Sequence, residues 1–181
     1  MTDRVKRNKE NYPPGTRLEL LHMDDPYHPV PDGTKGTVKH VDDDGQLHMM
    51  WDNGRTLAVN TEVDTIRKLT MDEIAEEEIA KGHEVVNLGD DCQIVLPDEP
   101  VDCSSLGYFD ELEEECWDLV KSYCSRLGVK MIPDEDGKPP ISFDIAKGIQ
   151  DQILGELQNA GVRFNFDEIS EDMDNTPVMR M

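Results

Sequence analysis

Asn53-Gly54 lies between two short alternating stretches, residues 46–51 and 55–59, and this constrains the fold more than any other feature of the chain. A type I′ turn needs positive φ at both central residues, which Asn and Gly tolerate, and its twist suits two antiparallel strands. Before the turn, Leu47, Met49 and Trp51 share one face at period two; after it, Leu57 and Val59 are expected to point inward. Upstream, Leu18 and Leu20 alternate within residues 16–23, and residues 34–41 read as a strand in which Gly36 permits a bend or bulge. Residues 65–69 supply a closing strand. Between the first two strands, residues 24–33 hold three prolines and three aspartates, the chemistry of a long exposed loop. Five short strands within residues 12–69 predict a small β-barrel.

The motifs YPPGTR, HMDDP, PDGTKGTV, WDNG and RKL in residues 12–69 together resemble a small family of unknown function found in phage and conjugative-element proteins of Gram-positive bacteria. The resemblance implies a mobile-element origin and an SH3-like barrel. It brings no established activity and no catalytic residues, and residues 70–181 lie outside it.

Charge divides the chain at the same place. Residues 1–69 carry 10 Lys/Arg and 12 Asp/Glu, whereas residues 70–181 carry 8 and 28, so nearly all of the formal net charge of −22 belongs to the second part. Such a field repels nucleic acid and anionic membrane, and attracts basic surfaces over about 8 Å at physiological salt. The expected partner is therefore a protein with a basic surface, with no direct nucleic-acid and no membrane binding. Residues 1–11 are basic but lack the apolar stretch of a signal peptide, and no segment approaches the roughly 18 apolar residues of a membrane span. A soluble, cytoplasmic protein of a bacterial host cell is expected.

The architecture predicted is α+β: an SH3-like small β-barrel followed by an acidic mixed α/β region with two main helices. Residues 1–11 read as a flexible basic arm, 12–69 as the barrel, 70–82 as an acidic helical linker, 83–166 as an acidic α/β domain and 167–181 as a mobile acidic tail. The linker opens on a capping box, Thr70 with Glu73, and Gly82 can end it. Residues 84–88 and 92–96 read as a hairpin, and 97–105 as a loop. Phe109, Leu112, Cys116, Leu119, Val120, Tyr123 and Leu127 recur at helical spacing before Gly128; Ile145, Ile149, Ile153, Leu154 and Leu157 do so before Gly161. Residues 162–166 alternate and predict a further strand.

Functional signals must be weighed against ordinary packing. Cys92, Cys103, Cys116 and Cys124 form no CxxC pair and read as reduced, mostly buried thiols rather than a zinc or disulfide framework. His22, Asp24, Asp25 and His28, with His40 and His48 nearby, fit no known zinc or calcium loop, so no metal and no cofactor are assigned. No GxSxG, Walker loop, GxGxxG or HExxH occurs, and with 40 acidic residues any carboxylate pair arises by chance; a non-enzymatic role is expected. Trp51 reads first as core, while Tyr12, Tyr27 and Trp51 are candidates to line a peptide groove on the barrel.

The acidic clusters supply the leading candidate surface: Glu76, Glu77, Glu78, Asp110, Glu111, Glu113, Glu114, Glu115 and Asp118. Carboxylates fixed on a folded surface imitate the phosphate spacing of a duplex, about one charge per 1.7 Å. This points to an inhibitor that occupies the basic channel of a host defence nuclease, of the anti-CRISPR or anti-restriction type. The rival reading is an accessory adaptor of phage or conjugative machinery that binds a protein segment through the barrel.

Overall fold

Leu18 and Leu20, at alternate positions of β1 (Arg17–His22), are fully buried, and the same alternation sets the inner face of β2 (Lys35–Val41) and β3 (Leu47–Trp51). The computed structural model describes residues 3–103, 116–134 and 148–165 and divides the chain into two compact units, Met1–Thr70 and Met71–Met181.

In the first unit the strand order is β3-β2-β1-β4, with β4 at Thr65–Lys68 and every pairing antiparallel. The sheet is open: β3 and β4 are its edges, so hydrogen bonding among these strands does not close a barrel. Register shifts between Leu20 and His22 and between Val38 and His40 bend β1 and β2 around a core that also holds Met23, Val30, Met49, Trp51 and Val59. Gly36 is demanded by close approach: a Cβ there would stand 2.7 Å from Trp51 Cε3 and 3.0 Å from the Met50 carbonyl oxygen.

The expected return strand at 55–59 is reduced to a single bridge. Val59 exchanges backbone hydrogen bonds with Leu47, both 2.9 Å, and is fully buried, but Leu57 is exposed. The reason is local: Trp51 Nε1 donates to the Leu57 carbonyl at 2.8 Å, which turns that carbonyl away from a regular ladder.

Residues 3–11 are not a flexible arm. They form α1 (Asp3–Asn11), a helix docked on its own unit by buried Val5 and Asn8. Asn8 Nδ2 donates to the Gly45 carbonyl at 2.8 Å and to Thr61 Oγ1 at 2.9 Å, while Arg4 reaches the Asp44 carbonyl and the Glu62 carboxylate. One apolar residue and two polar side chains give too little periodicity to be read as a helix, yet they suffice once the Asp42–Gly45 turn presents its carbonyls.

The second unit opens with α2 (Met71–Ala80), which is no linker. Its Ala75 packs with Val95 and Ile132, with Met71 and Ile74 alongside. Gly82, at φ +91°, ends it: His83 N donates to the Glu78 carbonyl and Gly82 N to that of Ile79. The expected hairpin forms as β5 (Val85–Asn87) and β6 (Cys92–Val95), and β6 pairs on its other side with β8 (Lys130–Pro133), giving the antiparallel order β5-β6-β8. Within the expected loop, β7 (Val101–Asp102) runs parallel to β9 (Phe164–Asn165), which lies inside the strand predicted at 162–166.

Helices α3 (Cys116–Arg126) and α4 (Ile149–Asn159) supply much of the unit's core through Leu119, Val120, Tyr123, Cys124, Ile149, Ile153 and Leu157. Each fully buried Leu or Ile of this kind stabilises by roughly 1.5–3 kcal/mol relative to exposure. Gly128 and Gly161 follow the two helices with positive φ, as their positions predicted. The stretch of the first predicted helix before Cys116, the start of the second at 142–148 and the predicted tail at 167–181 lie mostly or wholly outside the described residues.

Candidate functional site

Of the acidic residues proposed as a partner surface, those on α2 have different fates. Glu76 is exposed and Glu77 half-buried, but Glu78 sits on the same stripe as Met71, Ile74 and Ala75 and is buried, with its side chain 4% exposed. Two ammonium groups and an imidazole converge on it: Lys130 Nζ at 2.6 Å and Lys81 Nζ at 2.8 Å donate to Oε1, and His83 Nδ1 lies 2.7 Å from Oε2. Burial alone would raise the Glu78 pKa; the hydrogen bonds from Lys130, Lys81 and His83 outweigh it and hold the carboxyl at about 2. Glu78 therefore organises α2 and β8 and is not available to a partner. The helical period, which places 71, 74, 75 and 78 on one face, was the signal in the sequence.

Asp118, in the first turn of α3, is exposed and pairs with Lys121 at 2.7 Å. Asp110, Glu111, Glu113, Glu114 and Glu115 lie outside the described residues. Elsewhere in the unit, exposed carboxylates stand at Asp72 and Glu76 on α2, at Asp90 and Asp91 between β5 and β6, at Asp98 and Glu99 before β7, and at Asp151 and Glu156 on α4.

The three aromatic residues suggested for a groove do not share one environment. Trp51 is core, 3% exposed. Tyr12 is half-buried against that core, with Lys68 Nζ 5.6 Å from its ring centre. Tyr27 is 84% exposed.

Tyr27 stands on a loop that is held at many points. Met23 and Val30 anchor it in the core, and Val30 N lies 3.4 Å from Met23 Sδ. Asp25 Oδ1 accepts from the amides of Tyr27 at 2.8 Å and His28 at 3.0 Å; the His28 amide, then that of Tyr27, holds its carboxyl below the usual range. Arg55, one residue beyond Gly54, donates to the carbonyls of His28 and Pro29. Asp64 Oδ1 accepts from the Asp24 amide at 2.8 Å. Sequence reasoning identified the loop but not Arg55 as its brace, because that contact spans 26 residues and more.

The histidines separate. His22 lies 3.9 Å from Asp32, whereas His40 and His48, cross-strand partners on β2 and β3, stack at 4.4 Å between ring centres. His48 Nε2 is 2.9 Å from Asp42 Oδ2, and the Gln46 amide, then His48, keeps the Asp42 carboxyl low. Among the described residues no group of three or more His, Cys, Asp or Glu side chains is arranged to hold a metal ion. Cys92 and Cys124 are buried free thiols pushed up by desolvation to about 11 and about 12, which suppresses the reactive thiolate; Cys103 is half-buried and also raised. Among the described residues no helix is long and apolar enough to cross a membrane.

Residues 1–69 match the family model described as "Domain of unknown function (DUF4314)", a match that takes in α1 as well as the sheet. Searches of curated proteins and of solved structures gave no match.

Proposed function

We propose that the chain is a non-enzymatic, mobile-element protein whose acidic second unit occupies a basic, nucleic-acid-binding surface of a host defence complex, as an inhibitor of the anti-CRISPR or anti-restriction type. The observation that carries this reading is the placement of charge in the described residues of 71–165. Exposed carboxylates lie on α2, α4 and the turns between strands, while Lys81 and Lys130 direct their ammonium groups onto buried Glu78. A surface that, among the described residues, displays carboxylates on several elements suits a channel built from Lys and Arg. Long-range attraction would raise the on-rate, and a few desolvated pairs would set the off-rate. The test is capture from bacterial lysate at low salt with stepwise NaCl elution. A nuclease or other DNA-binding complex released by salt and displaced by duplex DNA supports the reading; a partner that resists both refutes it.

A second reading is favoured by one observation, the exposure of Tyr27 on a braced loop. In it the first unit, read as an SH3-like module although its sheet is open, is the binding part of an accessory adaptor of phage or conjugative machinery.

A further inference from the structure

We infer that the loop of residues 23–33 is a docking site for an extended, Arg- or Lys-bearing segment of a partner protein, with Tyr27 as the aromatic platform and Asp24 and Asp32, exposed on the same loop, as the attracting carboxylates. The inference deepens the second reading above and rests on it.

Three observations combine. First, the loop is fixed before anything binds. Val30 and Met23 anchor it, Asp25 ties down the Tyr27 and His28 amides, and Arg55 holds two successive carbonyls; Gly33 N donates to the Leu20 carbonyl at 2.6 Å at its exit. A loop already ordered loses little conformational entropy on association. Second, Tyr27 projects from this frame with 84% of its surface in water. A tyrosine offers a large contact area for two torsions, and tyrosine is enriched among the residues that dominate interface energies. Third, the charge around it is one-sided: Asp24, Asp25 and Asp32 belong to the loop and Asp64 binds its backbone, against Arg55, whose guanidinium faces the His28 and Pro29 carbonyls.

That combination selects the occupant. The face of a phenol ring attracts a guanidinium or ammonium group, and carboxylates of the same loop supply the opposite charge. Phosphate-bearing polymers are repelled by the same carboxylates. Asp25 has an oxygen engaged by two amides, so Asp24 and Asp32, both exposed and Asp32 with His22 only 3.9 Å away, are the loop carboxylates assigned to meet a cation.

The test uses the full chain and three labelled ten-residue Gly/Ser peptides, carrying two Arg, two Lys or two Glu, titrated at low salt with amide chemical shifts as the map. The expected result is that the Arg peptide, and more weakly the Lys peptide, perturbs the amides of residues 24–28 and 32, and the Glu peptide perturbs none. Tyr27→Ala should weaken Arg-peptide binding about five- to tenfold, and Asp24→Asn with Asp32→Asn about threefold. Both changes lie on exposed side chains, and an unchanged thermal melt confirms the fold. Unchanged affinity in Tyr27→Ala, equal binding of the Glu peptide, or no binding by any peptide overturns the inference. Perturbation confined to the second unit also overturns it, while leaving the acidic-surface reading intact; Tyr27-dependent binding without any salt-eluted DNA-binding complex does the reverse.

Discussion

The two units handle charge in opposite ways. In the first, cations and carboxylates are matched pair by pair across the surface: Arg17 with Asp52, Arg67 with Glu19, Arg4 with Glu62, Lys9 with Asp43. Among the described residues of the second, Lys81, Lys130 and His83 gather on one buried carboxylate, Glu78, and most other exposed carboxylates stand without such a cluster. The lesson is that net charge is a poor guide to where charge acts. Exposed pairs are worth little because water and salt screen them, whereas a desolvated carboxylate must be neutralised or it unfolds its surroundings. Four predictions test this contrast, in descending order of effect.

Glu78→Gln should have the largest effect. The folded carboxyl titrates at about 2 against an ordinary value of 4.5, a gap worth about 3 kcal/mol at neutral pH. Because Lys81 and Lys130 are half-exposed and can be rehydrated, we expect a loss of about 2–3 kcal/mol, confined to the second unit. The pH dependence has a definite sign. A depressed carboxyl contributes its full stability above pH 4.5 and loses it as pH falls from 4.5 to about 2. Denaturant titrations of wild type and variant at pH 7 and pH 3 check both points: the difference should shrink on acidification, and a pH-independent difference would show that packing rather than charge accounts for the loss.

In the first unit the comparable weak point carries no charge. Gly36→Ala would push a Cβ to 2.7 Å from Trp51 Cε3, and that ring cannot easily yield because its indole nitrogen is held by the Leu57 carbonyl. Overpacking of this kind costs about 1–3 kcal/mol, and we expect about 2. Denaturation followed by Trp fluorescence measures it. A neutral Gly36→Ala would mean that β2 and β3 part readily, and the comparison would then rest on Glu78 alone.

Much of the fold was legible because it depends on local chemistry. Leu18 and Leu20, the β5–β6 hairpin and the stripe Ile149, Ile153, Leu157 declare themselves by period and turn residues within a few positions. At Asn53-Gly54 a turn forms, but Gly54 N donates to the Trp51 carbonyl at 2.8 Å, so its central residues are Asp52 and Asn53 rather than the expected pair. What was not legible depends on partners far away in sequence. The helix α1 is recognisable only once Gly45 and Thr61, 37 and 53 residues on from Asn8, present their oxygens. Strand β8 adds to β6 across more than thirty residues. For the candidate sites the same rule applies: Tyr27 could be placed on an exposed loop from its prolines, but neither its brace by Arg55 nor the burial of Glu78 follows from counting charges.

Asn8→Ala sharpens that point and should come third. It removes two hydrogen bonds and leaves the carbonyl of buried Gly45 without its donor, a loss of about 1–2 kcal/mol. Hydrogen exchange should show faster opening at residues 42–46 and 60–62, with the strands β1 and β2 little affected. If α1 were a mere appendage, exchange outside residues 3–11 would not change.

The smallest effect is the one a charge-counting account would make largest. Arg17 meets Asp52 with both guanidinium nitrogens, Nη1 to Oδ1 at 2.8 Å and Nη2 to Oδ2 at 2.7 Å, the best geometry a surface pair can have. Arg17 is largely covered, with its side chain 15% exposed, but Asp52 is 52% exposed, so the pair remains in contact with water. A double-mutant cycle with Arg17→Ala and Asp52→Ala should therefore return a coupling of about 0.5–1 kcal/mol, reduced in 1 M NaCl. The same cycle on Glu78 and Lys130 should give a coupling several times larger and less sensitive to salt, because one partner is desolvated. Equal couplings at the two sites would remove the distinction between the units, since burial of Glu78 would then have added nothing to the strength of its contacts.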